Sequence, residues 1–227
     1  MITRREFSLA TALVVAGGWR AAVQAADPAP ARKVPSPEEI WAGLVAGNKR
    51  FVAGKPRPRA LASLRRELAT GQYPLVTVLG CSDSRVSPSL VFDQTVGDLF
   101  EVRAAGNVAD AVALGSIEYA VDHLHTPVLL VLGHDKCGAV EAAASGEAMP
   151  SLGLDMLVRK IQPAVARVRG QASGDALIDL AVDANIQQSA RDLLESSAIL
   201  RRHADAGRLT VVKARYRLGS GEVVRLA

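Results

Sequence analysis

Two short apolar runs stand out in the pattern of hydrophobic and polar positions along the 227 residues. Residues 75–79 and 128–132 are almost uninterrupted apolar segments of strand length, each entered through a proline, and they predict buried strands. Weaker runs over residues 99–102 and 209–214 predict two further strands. Residues 216–224 contain Gly-Ser-Gly between extended segments, which is typical of a hairpin.

Apolar residues recur at helical spacing between these runs. Ser36, Pro37 and Glu39 have the types and spacing of a capping box, so a first helix is predicted over residues 36–53. Further helices are predicted, in chain order, over residues 60–70, 112–124, part of 136–147, 152–168 and 176–204. Strands that alternate with helices indicate a single α/β domain with a mainly parallel central β-sheet flanked by helices.

The first 25 residues follow a different pattern. Arg4 and Arg5 precede a short apolar run, and small residues lead to Ala25, which is typical of a cleaved signal peptide of the twin-arginine type. The apolar run is shorter than the about 20 residues that span a bilayer, so no stable membrane anchor is expected. We expect an export signal over 1–25, a linker over 26–35 and the folded domain over 36–227, in the periplasm or otherwise exported.

Composition is that of a folded globular protein, with 49% hydrophobic and 22% charged residues. The formal charge of +4 comes from 27 basic and 23 acidic side chains. Loss of residues 1–25 would leave 24 basic and 22 acidic side chains, because this segment holds three arginines and one glutamate. Such a balance does not support a nucleic-acid surface, and no nucleic-acid partner is expected.

Reactive residues follow directly after both strong strand segments. Cys81 comes after the first, and His134 and Cys137 come after the second. The carboxyl ends of parallel strands lie at one edge of a sheet, where ligands bind, so these three side chains should meet. Two cysteines and a histidine form a known zinc ligand set, and three protein ligands leave a fourth position for water or substrate. A Cys81–Cys137 disulfide and a thiol nucleophile with a histidine base are the alternatives.

Asp83 and Arg85 are two residues apart, so in an extended segment their side chains leave the same side of the backbone. The arginine fork can hold a carboxylate through two parallel hydrogen bonds. Held in this way, Asp83 would accept a hydrogen bond from a zinc-bound hydroxide and orient it. Released by Arg85, Asp83 could itself become the fourth zinc ligand, which defines a closed state.

Residues 81–86 (Cys-Ser-Asp-Ser-Arg-Val) and 133–138 (Gly-His-Asp-Lys-Cys-Gly) resemble the two signature segments of β-class carbonic anhydrases. The resemblance extends over about residues 36–226. It implies the fold of that family and one zinc ion (Zn²⁺) per chain on Cys81, His134 and Cys137. It also implies reversible hydration of carbon dioxide to bicarbonate and a proton, with Asp83 and Arg85 as the catalytic pair.

The same resemblance implies a substrate pocket and an oligomer. Gln94 would donate a hydrogen bond to substrate or bicarbonate across a dimer interface, and Gly138 would lie against the metal loop. Phe100 and Tyr119 would line a narrow apolar pocket. The chain is therefore expected to form a homodimer or a multiple of dimers, with carbon dioxide and bicarbonate as its small-molecule partners.

The chain departs from the family pattern at a few positions. Ala104 replaces a common asparagine and Ala198 a common proline. Val78 stands where members with a bicarbonate-operated switch carry tryptophan, so that switch is not predicted. Hydrolysis of carbonyl sulfide or carbon disulfide on the same scaffold, or zinc binding without catalysis, are the alternative functions. The remaining histidines are interpreted as surface residues without a role: His123, His125 and His203.

Overall fold

A five-stranded sheet organises the computed structural model, which describes residues 34–227. The strands are β1 Val76–Gly80, β2 Leu99–Arg103, β3 Val128–His134, β4 Thr210–Tyr216 and β5 Val223–Arg225. Their order is β2-β1-β3-β4-β5, with parallel pairing of β1 to β2, β1 to β3 and β3 to β4. Only β5 is antiparallel, in the predicted hairpin with β4. The mainly parallel sheet expected from the sequence is confirmed.

The predicted signal peptide over 1–25 and the linker up to residue 33 lie outside the described residues. Eight α-helices surround the sheet within residues 34–227: α1 Pro37–Val52, α2 Leu61–Glu67, α3 Pro88–Val91, α4 Ala111–Asp122, α5 Gly138–Ser145, α6 Leu152–Val168, α7 Gly174–Ser196 and α8 Ala198–Asp205. Among the helices of this part of the chain, none has both the length and the apolar character needed to cross a membrane.

Helices cover both faces of the sheet. Strand β3 is buried at every position, and its side chains alternate between two apolar clusters. Leu129 and Val131 pack with residues of α4 to α8, whereas Leu130 and Leu132 pack with residues of α1 and α3. Full burial of one leucine side chain stabilises the fold by about 1.5–3 kcal/mol. Burial on both faces explains why the central strands are continuous apolar runs rather than alternating ones.

The capping box at the start of α1 is confirmed. The Glu39 backbone N–H donates to Ser36 Oγ at 3.3 Å, and the Ser36 backbone N–H donates to Glu39 Oε2 at 2.7 Å. Pro37 occupies the first turn, where a backbone N–H has no partner within the helix, so the N–H that proline lacks is not needed. Ile40 and Leu44 then lie one turn apart on the buried face of the helix.

The predicted helix over 176–204 is two helices rather than one. Ser197 interrupts it with an extended backbone (φ −115°, ψ 113°). Its hydroxyl accepts from the Leu200 backbone N–H at 3.0 Å and donates to Glu118 Oε1 at 2.6 Å. A serine that caps a new helix in this way competes with continuation of the old one. Because apolar residues recur at helical spacing on both sides of Ser197, the sequence pattern does not indicate the break between the two helices.

The interpretation of His203 as a surface residue is wrong. Its side chain is buried, and its Nε2 lies 3.0 Å from Oδ1 of Asp122 on α4. Arg202 Nη2 donates to the same oxygen at 2.7 Å. The pair therefore attaches α8 to α4. The hydrogen bond between Asp122 and His203 lowers the pKa of the Asp122 carboxyl, although burial acts to raise it.

Candidate metal centre

Three buried side chains meet at the carboxyl edge of the sheet, as the sequence predicts. Cys81 follows β1, His134 is the last residue of β3, and Cys137 is the N-cap residue of α5. Because Gly80 pairs with Leu132, the two strands end almost level. The ligand atoms of the three residues all lie within 4.8 Å of one another. Both cysteines are free thiols.

The backbone fixes the tautomer of His134. Its Nδ1 lies 2.8 Å from the Asp135 carbonyl oxygen, which can only accept, so Nδ1 carries the proton. In the neutral imidazole the lone pair then lies on Nε2, within 4.8 Å of both thiol sulfurs. Within residues 34–227, Nε2 is buried and has no hydrogen-bond partner. Since an unsatisfied buried polar atom costs about 1–3 kcal/mol, a metal ion bound here would remove a real penalty.

A hydrogen bond couples the thiols of Cys81 and Cys137. The hydrogen bond from Cys137 lowers the pKa of the Cys81 thiol to about 4, against the effect of burial. The same pairing, together with burial, raises the pKa of the Cys137 thiol. Cys81 Sγ also accepts the backbone N–H groups of Asp83 at 3.4 Å and Gly106 at 3.3 Å. The pairing thus favours negative charge on Cys81. With Cys137 deprotonated as well, two thiolates and a neutral imidazole would form a donor set that fits zinc.

Asp83 and Arg85 lie beside these donors. Arg85 Nε donates to Asp83 Oδ1 at 2.9 Å, and Arg85 Nη2 donates to Asp83 Oδ2 at 2.6 Å. These bonds hold the pKa of the Asp83 carboxyl well below its usual range, although partial burial opposes them. Asp83 Oδ2 is 3.8 Å from His134 Nε2. Arg85 Nη2 also donates to the Lys136 carbonyl at 3.2 Å, which ties the first loop to the second.

Two further residues hold these loops, and neither was assigned a role from the sequence. Arg103, at the end of β2, donates to the carbonyls of Cys81 (3.0 Å), Asp83 (2.8 Å) and Val86 (2.6 Å). Asp135 accepts the Leu218 backbone N–H through Oδ1 at 2.7 Å, which attaches the His134 loop to the segment between β4 and β5. The signal for Arg103 was its position at the carboxyl end of a strand parallel to β1.

The predicted pocket residues are placed as follows. Gly138 is the first residue of α5 and is exposed, with no atom within 4 Å of the space that a Cβ would occupy. Phe100 packs against the apolar cluster that contains Cys81 and Cys137. Tyr119 is 44% exposed, and its ring centroid is 6.2 Å from that of Phe100. Their predicted contact with substrate stays a prediction.

Gln94 does not lie at the metal donors of its own chain. Its Nε2 donates to the Phe92 carbonyl at 2.7 Å. It lines a groove together with Val76 and Leu99, which begin β1 and β2, whereas Cys81 follows the other end of β1. The predicted role of Gln94 therefore requires a second copy of the chain.

Comparisons with known proteins agree with this geometry. A sequence family described as "Carbonic anhydrase" matches residues 76–223. The chain is 38% identical over 193 residues to carbonic anhydrase 2 of Mycobacterium tuberculosis, covering 83% of this chain and 92% of that protein. A carbonic anhydrase of Mycolicibacterium smegmatis matches with the same identity and coverage.

Solved structures give the same result. The β-carbonic anhydrase CafA of Aspergillus fumigatus superimposes with a TM-score of 0.69 at 26% identity, covering 82% of this chain and 90% of that chain. The β-carbonic anhydrase of Coccomyxa gives a TM-score of 0.65 at 26% identity, covering 83% and 82%.

Proposed function

Because the chain belongs to the family of β-class carbonic anhydrases, we propose that it hydrates carbon dioxide at a zinc ion held by Cys81, His134 and Cys137. One observation carries the proposal. Three buried donors converge within 4.8 Å, and the Nε2 lone pair of His134 has no other partner within residues 34–227. A bound zinc ion supplies hydroxide near neutral pH by lowering the pKa of a water molecule.

Asp83 is proposed to orient the nucleophile. Its carboxyl is ionised at neutral pH, and Arg85 lowers its pKa further, so it can only accept hydrogen bonds. It lies 3.8 Å from His134 Nε2, at the edge of the donor cluster. An oxygen that donates a hydrogen bond to Asp83 keeps a lone pair free for the carbon of the substrate. Geometry of this kind contributes to the rate by orienting the reacting atoms.

Arg85 is proposed to keep Asp83 from binding the metal. Both carboxylate oxygens accept from the guanidinium group, so neither is free to act as a strong metal ligand. If these bonds break, Asp83 becomes a free anion beside a cation site. The closed state, with Asp83 as fourth ligand, would then exclude water. The structure has the bonds formed, which corresponds to the open state of this proposal.

The finer features of the reaction are also proposals. Open space over Gly138 would admit a small apolar substrate, and Phe100 and Tyr119 would line its pocket. Gln94 of a second chain would bind the substrate oxygen, which implies a homodimer or a multiple of dimers. The twin-arginine pattern of residues 1–25 supports export, with the zinc bound before the chain crosses the membrane.

The proposal is tested by measuring zinc content and turnover in three proteins. The chain from residue 26 onward should hold one zinc ion and hydrate carbon dioxide. His134→Ala should lose most of both. Asp83→Asn, which keeps all three metal donors, should retain its zinc and lose most of the activity. Wild-type turnover in Asp83→Asn would remove Asp83 from the mechanism, and turnover of carbonyl sulfide or carbon disulfide alone would replace the proposed substrate.

A further inference from the structure

A left-handed turn follows β2 and contacts the metal centre. Gly106, in the 3₁₀ turn Ala105–Asn107, has φ 66° and ψ 21°, and its N–H donates to Cys81 Sγ at 3.3 Å. A Cβ at this position would lie 2.6 Å from Ile161 Cδ1 and 3.1 Å from Ala139 Cβ. Both the backbone conformation and the packing therefore require glycine, and they bring the turn close to the sulfur.

Helix α7 holds this turn through buried polar side chains. Asn185 Nδ2 donates to the Gly106 carbonyl at 2.8 Å, and Asn107 Nδ2 donates to Ser189 Oγ at 3.4 Å. Asn185 and Ser189 are four residues apart and so share one face of the helix. Asn185 is 1% exposed, and within residues 34–227 its Oδ1 has no partner. This buried amide therefore makes a single hydrogen bond, and that bond is to Gly106.

We propose that Asn185 is a positioning residue for the metal centre. By holding the Gly106 carbonyl, it keeps the Gly106 N–H directed at Cys81 Sγ and so adjusts how much electron density this sulfur donates to the metal. Hydrogen bonds to metal ligands orient them and tune the metal. The inference rests on the proposed function, since it requires Cys81 to be a ligand.

Gln188 offers a matched control on the same helix. It is 5% exposed, its Nε2 donates to the Lys160 carbonyl at 2.8 Å, and its Oε1 is likewise without a partner in the described part of the chain. Its bond is thus of the same type and also comes from a buried amide, but it leads to α6 rather than to Cys81. Asn185→Leu and Gln188→Met each exchange a buried amide for an apolar side chain of similar size.

The experiment replaces zinc with cobalt and records the thiolate-to-cobalt charge-transfer band of the full domain. Asn185→Leu should shift the band to lower energy, because the sulfur loses hydrogen bonding, and should lower zinc affinity in a chelator competition by about tenfold. Gln188→Met should leave both unchanged. Equal bands in the wild type and both variants would overturn the role of Asn185. A wild type that binds cobalt without any thiolate band would instead overturn the metal centre itself.

A second measurement does not depend on the folding of Asn185→Leu. In the cadmium-113 form of the wild type, the Gly106 amide proton should show a scalar coupling to the metal through Cys81 Sγ. Absence of this coupling, with cadmium bound, would show that the N–H···S bond does not reach the metal ligand and would overturn the inference.

Discussion

Replacing Arg85 with glutamine tests what the arginine does for Asp83, and it also removes the bond to the Lys136 carbonyl. Arg85 contributes two side-chain hydrogen bonds to the Asp83 carboxylate, at 2.9 and 2.6 Å. The variant removes both and leaves the backbone N–H of residue 85, which donates to Oδ1 at 2.9 Å. Asp83 would then be held through one oxygen and could rotate about its side-chain bonds. The metal donors themselves are untouched.

The expected effects on stability and on rate differ strongly. The Arg85 side chain is 53% exposed, so solvent screens its pair with Asp83 and the Tm should change by no more than about 3 °C. A displacement of a catalytic group by about 1 Å can reduce the rate 10²-fold, so we expect kcat/KM to fall by about 100-fold. Arg85→Lys keeps the charge but loses the two-point contact with Asp83, so we expect kcat/KM to fall by about tenfold.

Stopped-flow hydration of carbon dioxide, with zinc content measured on the same samples, tests this prediction. Arg159→Gln is the matched control, because Arg159 Nε makes a similar 2.6 Å bond to Asp155 Oδ2 on the exposed surface of α6. It should leave turnover unchanged. A fully zinc-loaded Arg85→Gln protein within threefold of the wild-type rate would contradict the proposed role of Arg85, as would an equal loss in Arg159→Gln.

Three other changes have defined outcomes. Arg103→Gln removes the side-chain hydrogen bonds to three carbonyls of residues 81–86. We expect kcat/KM to fall about tenfold at full zinc content, and an unchanged rate would contradict a positioning role. Gly106→Ala introduces strain at φ 66° and a clash with Ile161, so urea unfolding should show a loss of about 2–5 kcal/mol, whereas a wild-type midpoint would contradict the packing. Because His203 lowers the pKa of the Asp122 carboxyl below its ordinary value of 3.8, the pair contributes stability above that value and loses it as the pH falls through the lowered pKa. Asp122→Asn should therefore be less stable than the wild type at pH 7 and approach it below about pH 4; a difference that is constant with pH would contradict this.

Features determined by local sequence were predicted well. These features are the capping box at Ser36, the buried runs that form β1 and β3, and the hairpin between β4 and β5. Each depends on residues close together in the chain. The meeting of Cys81 with His134 and Cys137 followed from one further rule, that parallel strands end at the same edge of a sheet. Short-range chemistry and a single topological rule were therefore enough to predict that these three side chains meet.

Features determined by contacts distant in the chain were not predicted. Ser197 ends a helix partly because Glu118 accepts its hydroxyl, and His203 is buried because Asp122 lies opposite it. The bond from Asn185 to Gly106 joins residues that no local pattern connects. Asp135 and Asn185 belong to this second group, since their hydrogen-bond partners are backbone atoms that carry no sequence signal.

The most direct test of the central claim is carbon dioxide hydration by the chain from residue 26 onward, followed with a pH indicator at about pH 7 and about pH 8.5. Each sample would be measured zinc-loaded, after chelation and after zinc is restored. We expect turnover that is faster at the higher pH, lost on chelation and recovered with zinc. Zinc bound at one ion per chain without turnover at either pH would contradict the proposed function.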